Sequence, residues 1–367
     1  MKTQVQPTSK FFPALTGIRA IAAYMVFFHH YNPLPEAWAD GWLRGIAAEM
    51  YTGVGLFFVL SGFLIGYRYN RPDREFHWGR YLRNRVARIY PMYFLLTTLT
   101  FAVYAWKKGT DAGFDLSTYF LNITFLRGFF NELKFSGIPQ GWSLTVEETF
   151  YFSAPLFFVL LRKRRFFYFL LPVFVMALGF ALVGIFGTWA PGGFFETPFF
   201  MLNYTFFGRV FEFFIGLFLA QRYIQSGQDR AGIAYTLLGG LMSIAGMAAL
   251  YALKGTAEYG LQSGVGQMLH HFLLPSLGFA LLFYGLITER TWLARFLSSR
   301  VMLLLGKSSY IFYLVHLGVT LILARLISHH WLWYFVYANV LSILLYLYVE
   351  EPANRWLRAW SGKSKAP

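Results

Sequence analysis

The chain contains no cysteine. That absence excludes disulfides, thiolate metal sites, a thioester-forming cysteine nucleophile and the cysteine-dependent mode of protein acylation. Charge is scarce as well: 13% of the 367 residues are Asp, Glu, Lys or Arg, where a soluble domain carries roughly a quarter. Acids are the scarcer sign, 17 against 32 Lys and Arg. There is no phosphate-cradling or dinucleotide-binding glycine pattern, so neither an ATPase nor a Rossmann enzyme is indicated. There is no HExxH or histidine-box pattern either, and no bound metal is expected. Internal repeats and low-complexity tracts are absent.

What is present is apolar sequence, 57% of the residues, with a mean hydropathy of +0.46. The runs are continuous rather than alternating, which points to an all-α polytopic membrane protein and away from a β-barrel. Ten segments are long enough to span a bilayer: 11–32, 50–69, 86–106, 143–162, 165–187, 203–224, 233–254, 268–287, 307–328 and 331–350. The junctions at 162–165 and 329–330 are short enough to force antiparallel hairpins. The longest connection, 107–142, reads as a loop with one short helix. Lys2, Lys10 and the apolar run after them resemble a signal peptide, with Ala37-Trp38-Ala39 as a cleavage site. Arg19 within the run argues for a retained first helix instead.

The Lys and Arg residues partition sharply between alternate loops. Twenty-three fall on the side of the N-terminus, six on the other, and Arg19, Arg209 and Arg325 within spans. The positive-inside rule then predicts ten spans in the cytoplasmic (inner) membrane with both termini in the cytoplasm. It also accounts for the net charge of +15 without nucleic acid as a partner.

Within this frame the first segment stands out. Arg19 and His30 are eleven residues apart, which at about 100° per residue puts them within about 20° on a helix and about 16 Å apart along it. Each alone could snorkel to its interface. Together they suggest a polar stripe with a site reached from both sides, His30 serving as general base and Arg19 holding an anionic group. His29 lies about 100° off the stripe, but a kink near Asn32-Pro33 could turn it in, so both histidines remain candidates.

Four other groups carry possible chemistry. Trp142 and Ser143 open a segment with Glu147 and Glu148. Ser143 is placed to cap that helix, one glutamate to favour its dipole, and the other to orient a histidine imidazolium. Residues do not decide between Glu147 and Glu148. Arg80, Arg83, Arg85 and Arg88 form a basic run; the positive-inside rule alone could explain it, yet Arg85 and Arg88 share one face and suit a phosphate-rich ligand such as acyl-CoA. Arg209 and Glu212 read as a self-neutralising intramembrane pair. His316 is a lone histidine at mid-depth, which favours a packed role. Ser61 with Gly62, and Gly53 with Gly55, allow close helix approach. Glu350-Glu351-Pro352 reads as a helix boundary.

In order along the chain, these motifs resemble the acyltransferase-3 membrane family. They are Arg19 followed after ten residues by His30, Gly55-Leu-Phe-Phe-Val-Leu-Ser-Gly-Phe-Leu-Ile, Arg85-Val-Ala-Arg-Ile-Tyr-Pro91, Trp142-Ser-Leu-Thr-Val-Glu-Glu148, Leu305-Gly-Lys-Ser-Ser-Tyr310 up to His316, and Val349-Glu-Glu-Pro352. The resemblance implies transfer of an acyl group, usually acetyl, from cytoplasmic acyl-CoA to a hydroxyl of a carbohydrate or glycosylated small-molecule acceptor. No cofactor is bound; acyl-CoA is a substrate. The resemblance also implies that His30 is essential with Arg19 as its partner, that Arg85 and Arg88 lie near the donor, and that Glu147 or Glu148, by resemblance Glu147, belongs to the catalytic centre. Two positions depart from the family pattern: Thr145 stands where serine is common, and His316 is followed by Leu317-Gly318 rather than Trp-Pro. The expected organisation is a single transmembrane domain, 1–352, a cytoplasmic tail, 353–367, and no appended extracytoplasmic domain. Oligomeric state is not legible.

The expected function is therefore a membrane O-acyltransferase. A transporter or flippase of a lipid-linked or acylated glycan shares the polar stripe and the basic face, but the sequence shows neither inverted repeats nor a broken helix. A scaffold in a polysaccharide-export assembly would have no need of the intramembrane ionisable groups.

Overall fold

The computed structural model describes residues 10–35, 37, 41–71, 76–108, 115–226 and 234–362. Lys2, Trp38 and Ala39, Arg74, Arg230 and the end of the tail lie outside them. The described residues form helices without a strand; one isolated bridge joins Phe130 and Phe194. The main helices are α1 (Pro13–His30), α2 (Gly53–Tyr69), α3 (Trp78–Lys108), α4 (Trp142–Leu161), α5 (Phe167–Phe186), α6 (Phe206–Ser226) and α7 (Tyr235–Leu253). A π-helical stretch, Leu269–Phe279, continues into α8 (Ala280–Thr288), and α9 (Arg300–Val315) and α10 (Trp331–Leu345) follow.

Helices fall on all ten apolar intervals of the sequence, but they are not ten equal spans. Eight helical stretches are long and apolar enough to cross a membrane among the described residues, nine if one bent pair counts as a single span. The protein is thus an all-α, multi-pass membrane protein. The helix missing from that set is α1, whose Arg19, His29 and His30 lower its hydropathy. Its surroundings explain how it tolerates them: α1 is held inside the bundle, with Ala20, Ala22, Ala23 and Phe27 wholly buried.

The bent pair corrects the reading of the ninth segment as one continuous span. Arg300–Val315 and Gly318–Arg325 meet at 98°. Leu317 is extended and Gly318 has φ +77°, a conformation that side-chain-bearing residues rarely adopt. His316 therefore ends a helix rather than sitting in the middle of one. A broken helix is present, although none is visible in the sequence.

Two features bring the polar residues together. First, α2 and α6 cross with backbone in contact: a Cβ at Gly62 would lie 2.1 Å from the carbonyl oxygen of Phe213, and one at Gly216 2.1 Å from that of Val59. Only glycine fits there, and the close crossing sets Ser61 on α2 and Arg209 on α6 into the interior. Second, the 107–142 connection folds back into the bundle. It holds the short helix Leu116–Ile123, as expected, and two 3-10 turns. Arg127, which topology alone would place in a loop, is fully buried there; its guanidinium donates to the carbonyls of Ser136 and, at 2.6 Å, Ile138. These bonds fix the segment that carries Gln140 and Trp142. On another wall, the Glu49 carboxylate accepts the Gly260 N–H at 2.9 Å and ties down the 258–262 loop.

Candidate functional site

The stripe on α1 opens into two cavities. Around Arg19 lies a narrow one of about 60 Å³, lined by Ser61, Arg85, Arg88, Ser143, Glu147, Tyr151 and Tyr310, among others. That is room for a few water molecules. At the other end of α1 lies a cavity of about 560 Å³, lined by His29, His30, Tyr51, Gln140, Trp142, Asn203, Tyr204, Arg209, Glu258 and Tyr259, among others. Its size is that of a small-molecule site. Val54 and Tyr313 line both cavities and form the partition between them. Tyr313 is held by its hydroxyl, 2.8 Å from Ser143 Oγ and 3.2 Å from the Gln140 carbonyl.

In the Arg19 cavity, Glu147 is committed to neighbours on its own side of the partition. Its Oε1 accepts from Ser61 Oγ at 2.5 Å and from the Tyr151 hydroxyl. Arg85, which is buried, lies over the Tyr151 ring at 5.5 Å. Arg80 and Arg83 are exposed, so the basic run divides into two residues that face the cavity and two that do not. Arg19 contacts Ser309 Oγ at 3.4 Å. Glu350, which the sequence suggests is a boundary residue, is buried within electrostatic reach of Arg88 and Arg19. Three guanidinium groups thus face Glu147, Glu148 and Glu350. Arg85 Nε and Glu148 Oε1 are buried without a hydrogen-bond partner, so some capacity to bind a polar ligand is unspent.

Three expectations about this helix change. Helix α4 begins at Trp142 after Gly141, with no side-chain cap, and Ser143 instead donates to the Gln140 carbonyl at 3.0 Å and bonds Tyr313. Glu147 and Glu148 lie beyond the first turn of α4, away from the strongest part of the helix dipole. The pairing of a glutamate with His30 does not form: Glu147 is bonded to Ser61 and Tyr151 at the other cavity.

In the larger cavity, His29 and His30 are the last two residues of α1, and both line it. His29 Nδ1 lies 2.6 Å from the Ala48 carbonyl, so Nδ1 carries the proton and Nε2 is the acceptor. His30 opens into the cavity. The groups around its ring are His29, at 4.7 Å between centroids, and His316, at 5.6 Å. The cavity's carboxylate is one the sequence does not single out, Glu258, which lies within electrostatic reach of Tyr259 and His29.

Arg209 and Glu212 do form the expected buried pair, at 2.7 and 2.8 Å. The guanidinium also lies 3.0 Å from His270 Nε2 and over the Phe58 ring. His271 bonds Asn203 at 3.1 Å. His270 and His271 escape the sequence reading, although two adjacent histidines in an apolar segment were a visible signal. With Glu212 they lie close enough to share a metal ion. The donor set does not fit one: Arg209 occupies both Glu212 oxygens and the His270 lone pair, and its own charge repels a cation.

The sequence model of a family described as an acyltransferase domain matches residues 12–350. O-acetyltransferase OatA of Staphylococcus aureus is 24% identical over 366 residues, covering 95% of this chain and 57% of the relative. YrhL of Bacillus subtilis, provisionally named a peptidoglycan O-acetyltransferase, is 31% identical over 169 residues, 41% of this chain and 24% of the relative. ORF330 of Acidianus two-tailed virus, provisionally named an acetyltransferase, is 30% identical over 158 residues, 42% and 43% of the two chains. The chain therefore spans about half the length, or less, of the curated relatives it matches. No solved structure matches it.

Proposed function

The chain belongs to the acyltransferase-3 family, and on that premise we propose that it is a membrane-embedded O-acyltransferase, moving an acyl group from acyl-CoA to a hydroxyl of a carbohydrate-type acceptor. The observation that carries this reading is the pair of polar cavities on one stripe of α1, divided by Val54 and Tyr313. A group-transfer enzyme working across a membrane needs a charged port for the donor, a roomier site for the acceptor and a base where they meet. The relatives' names support acetyl as the group and a glycan such as peptidoglycan as the acceptor class.

The Arg19 cavity is the donor port, and by the distribution of Lys and Arg it opens to the cytoplasm, with the chain in the inner membrane. Arg85 and Arg88, with Arg19, hold the CoA phosphates. At about 60 Å³ the port is too narrow for a pantetheine arm, so side chains move as the donor enters. The thioester passes Tyr313 and reaches His30. His30 takes the proton of the acceptor hydroxyl, and the oxygen attacks the thioester carbon. The C–S bond breaks, and the CoA thiolate recovers the proton from His30. Glu147, through Ser61 and Tyr151, fixes the wall of the donor port and balances its cations. His29 lines the acceptor site as a second acceptor of hydrogen bonds.

The test is turnover by the purified chain in lipid nanodiscs, with acetyl-CoA as donor and peptidoglycan fragments as acceptor. CoA should be released and an acetyl mass gained. His30→Ala should lower the rate roughly 10²- to 10⁴-fold; full transfer by that variant would sink the assignment.

The broken helix after α9 favours a second reading, since transporters place such breaks at their binding sites. A flippase of a lipid-linked glycan would move substrate without consuming acetyl-CoA, and the same assay separates the two.

A further inference from the structure

The end of α9 carries a group with no function in the scheme above. His316 is wholly buried. Its Nδ1 lies 2.8 Å from the Tyr313 carbonyl, an atom that only accepts, so Nδ1 carries the ring proton and Nε2 is a lone-pair acceptor. Nε2 has no partner. A histidine that is simply packed in a core has both nitrogens satisfied; this one has an acceptor left over, and the neighbouring imidazole is His30, at 5.6 Å and 32° between planes.

The surroundings hold the His316 ring in place. It stacks on Phe312 at 6.1 Å and 8°, and Phe27 lies against it at 6.4 Å. The Gln140 amide donates to the carbonyls of Tyr313 and Leu314, each at 2.8 Å, and pins the helix end. Beyond it Gly318 turns the chain away, so that α9 ends at the cavity wall with His316 as its last polar group. His29 is also near His30, but His29 lines the cavity itself, where water or ligand can satisfy its Nε2. His316 Nε2 has no such outlet.

We propose that His316 is the positioning partner of His30: a small turn of the His30 ring, which is not bonded to His316 in this structure, lets the bare His316 Nε2 accept its N–H, fixes the His30 tautomer, and leaves the other His30 nitrogen as the base that faces the acceptor hydroxyl. The inference rests on the reading of His30 as general base. When the hydroxyl proton moves to His30, the O–H bond breaks as an N–H bond forms, and the opposite N–H of the imidazolium strengthens its bond to His316. No proton passes to His316; it orients and shares charge, the part that a buried carboxylate plays in other relays. A neutral partner suits a site already within a membrane, where a buried anion is costly.

The test uses the full chain in nanodiscs with ¹⁵N-labelled histidine. In the wild type, the His30 signals, identified by their loss in His30→Ala, should report one neutral tautomer and an N–H···N coupling to His316. His316→Phe, which keeps the ring packing, should mix the tautomers and lower kcat about 10- to 100-fold at unchanged KM for acetyl-CoA. His316→Gln, whose amide oxygen can accept the same bond, should restore the tautomer and most of kcat. A single unchanged tautomer and unchanged kcat in His316→Phe would overturn the proposal. So would equal losses in Phe and Gln variants with a lowered melting temperature, which mark a structural role. Were His316→Phe not to fold, absence of the coupling in the wild type would be equally decisive. A wild type that never consumes acetyl-CoA defeats the acyltransferase reading instead, and the tautomer measurement still decides the pairing.

Discussion

The cavity at Arg19 has about 60 Å³ of free space, lined by three guanidinium groups and the Glu147 carboxylate; the cavity at His30 has about 560 Å³ and is walled mainly by aromatic, amide and imidazole groups. The two share a helix and a partition yet are prepared differently. In the first, guanidinium and carboxylate groups crowd a narrow space, and Arg85 Nε and Glu148 Oε1 are left without partners for a ligand to meet. In the second, Trp142, Tyr204 and Tyr259 stand ready around open volume, and the one ion pair at its edge, Arg209 with Glu212, is already neutralised. A narrow charged port and a roomier site with one carboxylate, Glu258, among mostly uncharged walls suit the proposed charged donor and an acceptor recognised by shape and hydrogen bonds.

The sharpest way to break this comparison is to remove the charge balance on the open side. Arg209→Met leaves Glu212 buried and unpaired, and loses the hydrogen bond to His270 as well. Breaking a buried pair in this way costs about 3–5 kcal/mol, so thermal unfolding in detergent should shift markedly. Arg209→Met with Glu212→Leu should recover most of the loss, since it removes both charges. A single variant as stable as the wild type would show that the pair is not what holds α6 beside the cavity.

A smaller effect distinguishes the two halves of the basic run. Arg85→Gln and Arg88→Gln should each raise KM for acetyl-CoA roughly 10-fold, in line with about 1.5–3 kcal/mol for a hydrogen bond to a charged group, with KM for the acceptor unchanged. Arg80→Gln and Arg83→Gln, at exposed positions, should leave both constants within about twofold, as surface charges contribute little. Equal effects at all four positions would mean that the run acts only through topology and bulk charge.

These residues also show what helix periodicity can and cannot deliver. The alignment of Arg19 with His30 follows from spacing alone, and the structure puts one at each cavity. The same argument separates His29 too strongly, because an angular offset matters little for the last two residues of a helix beside an open space. Arg85 and Arg88 are legible as one face. The partners that come from other segments are not: Gln140 and Glu258 reach the site through two loops without a period, and Tyr313, although on α9, meets α4 and Gln140 only through tertiary packing. The pairing of a glutamate with His30 fails for the same reason. Which face of α4 meets which neighbour depends on packing against α2 and α9, and there Ser61 of α2, with Tyr151 one turn further along α4, claims the Glu147 carboxylate. His270 and His271 sit on π-helical backbone, where the usual 100° step does not apply.

The smallest expected effect concerns the partition itself. Tyr313→Phe keeps the ring between the cavities and removes only the hydroxyl that bonds Ser143 and the Gln140 carbonyl. Loss of about 1 kcal/mol in stability is expected, with transfer reduced by no more than a few-fold. Tyr313→Ala removes the wall and should join the two spaces, so that water from the open side reaches the bound thioester. Hydrolysis of acetyl-CoA without acceptor should then rise relative to productive transfer. Comparing the two variants at saturating acetyl-CoA isolates the ring from its hydroxyl: hydrolysis that rises only in Tyr313→Ala assigns the barrier to the bulk of the ring, hydrolysis that rises in both assigns it to the hydrogen bonds, and hydrolysis that rises in neither means that Tyr313 does not separate the compartments.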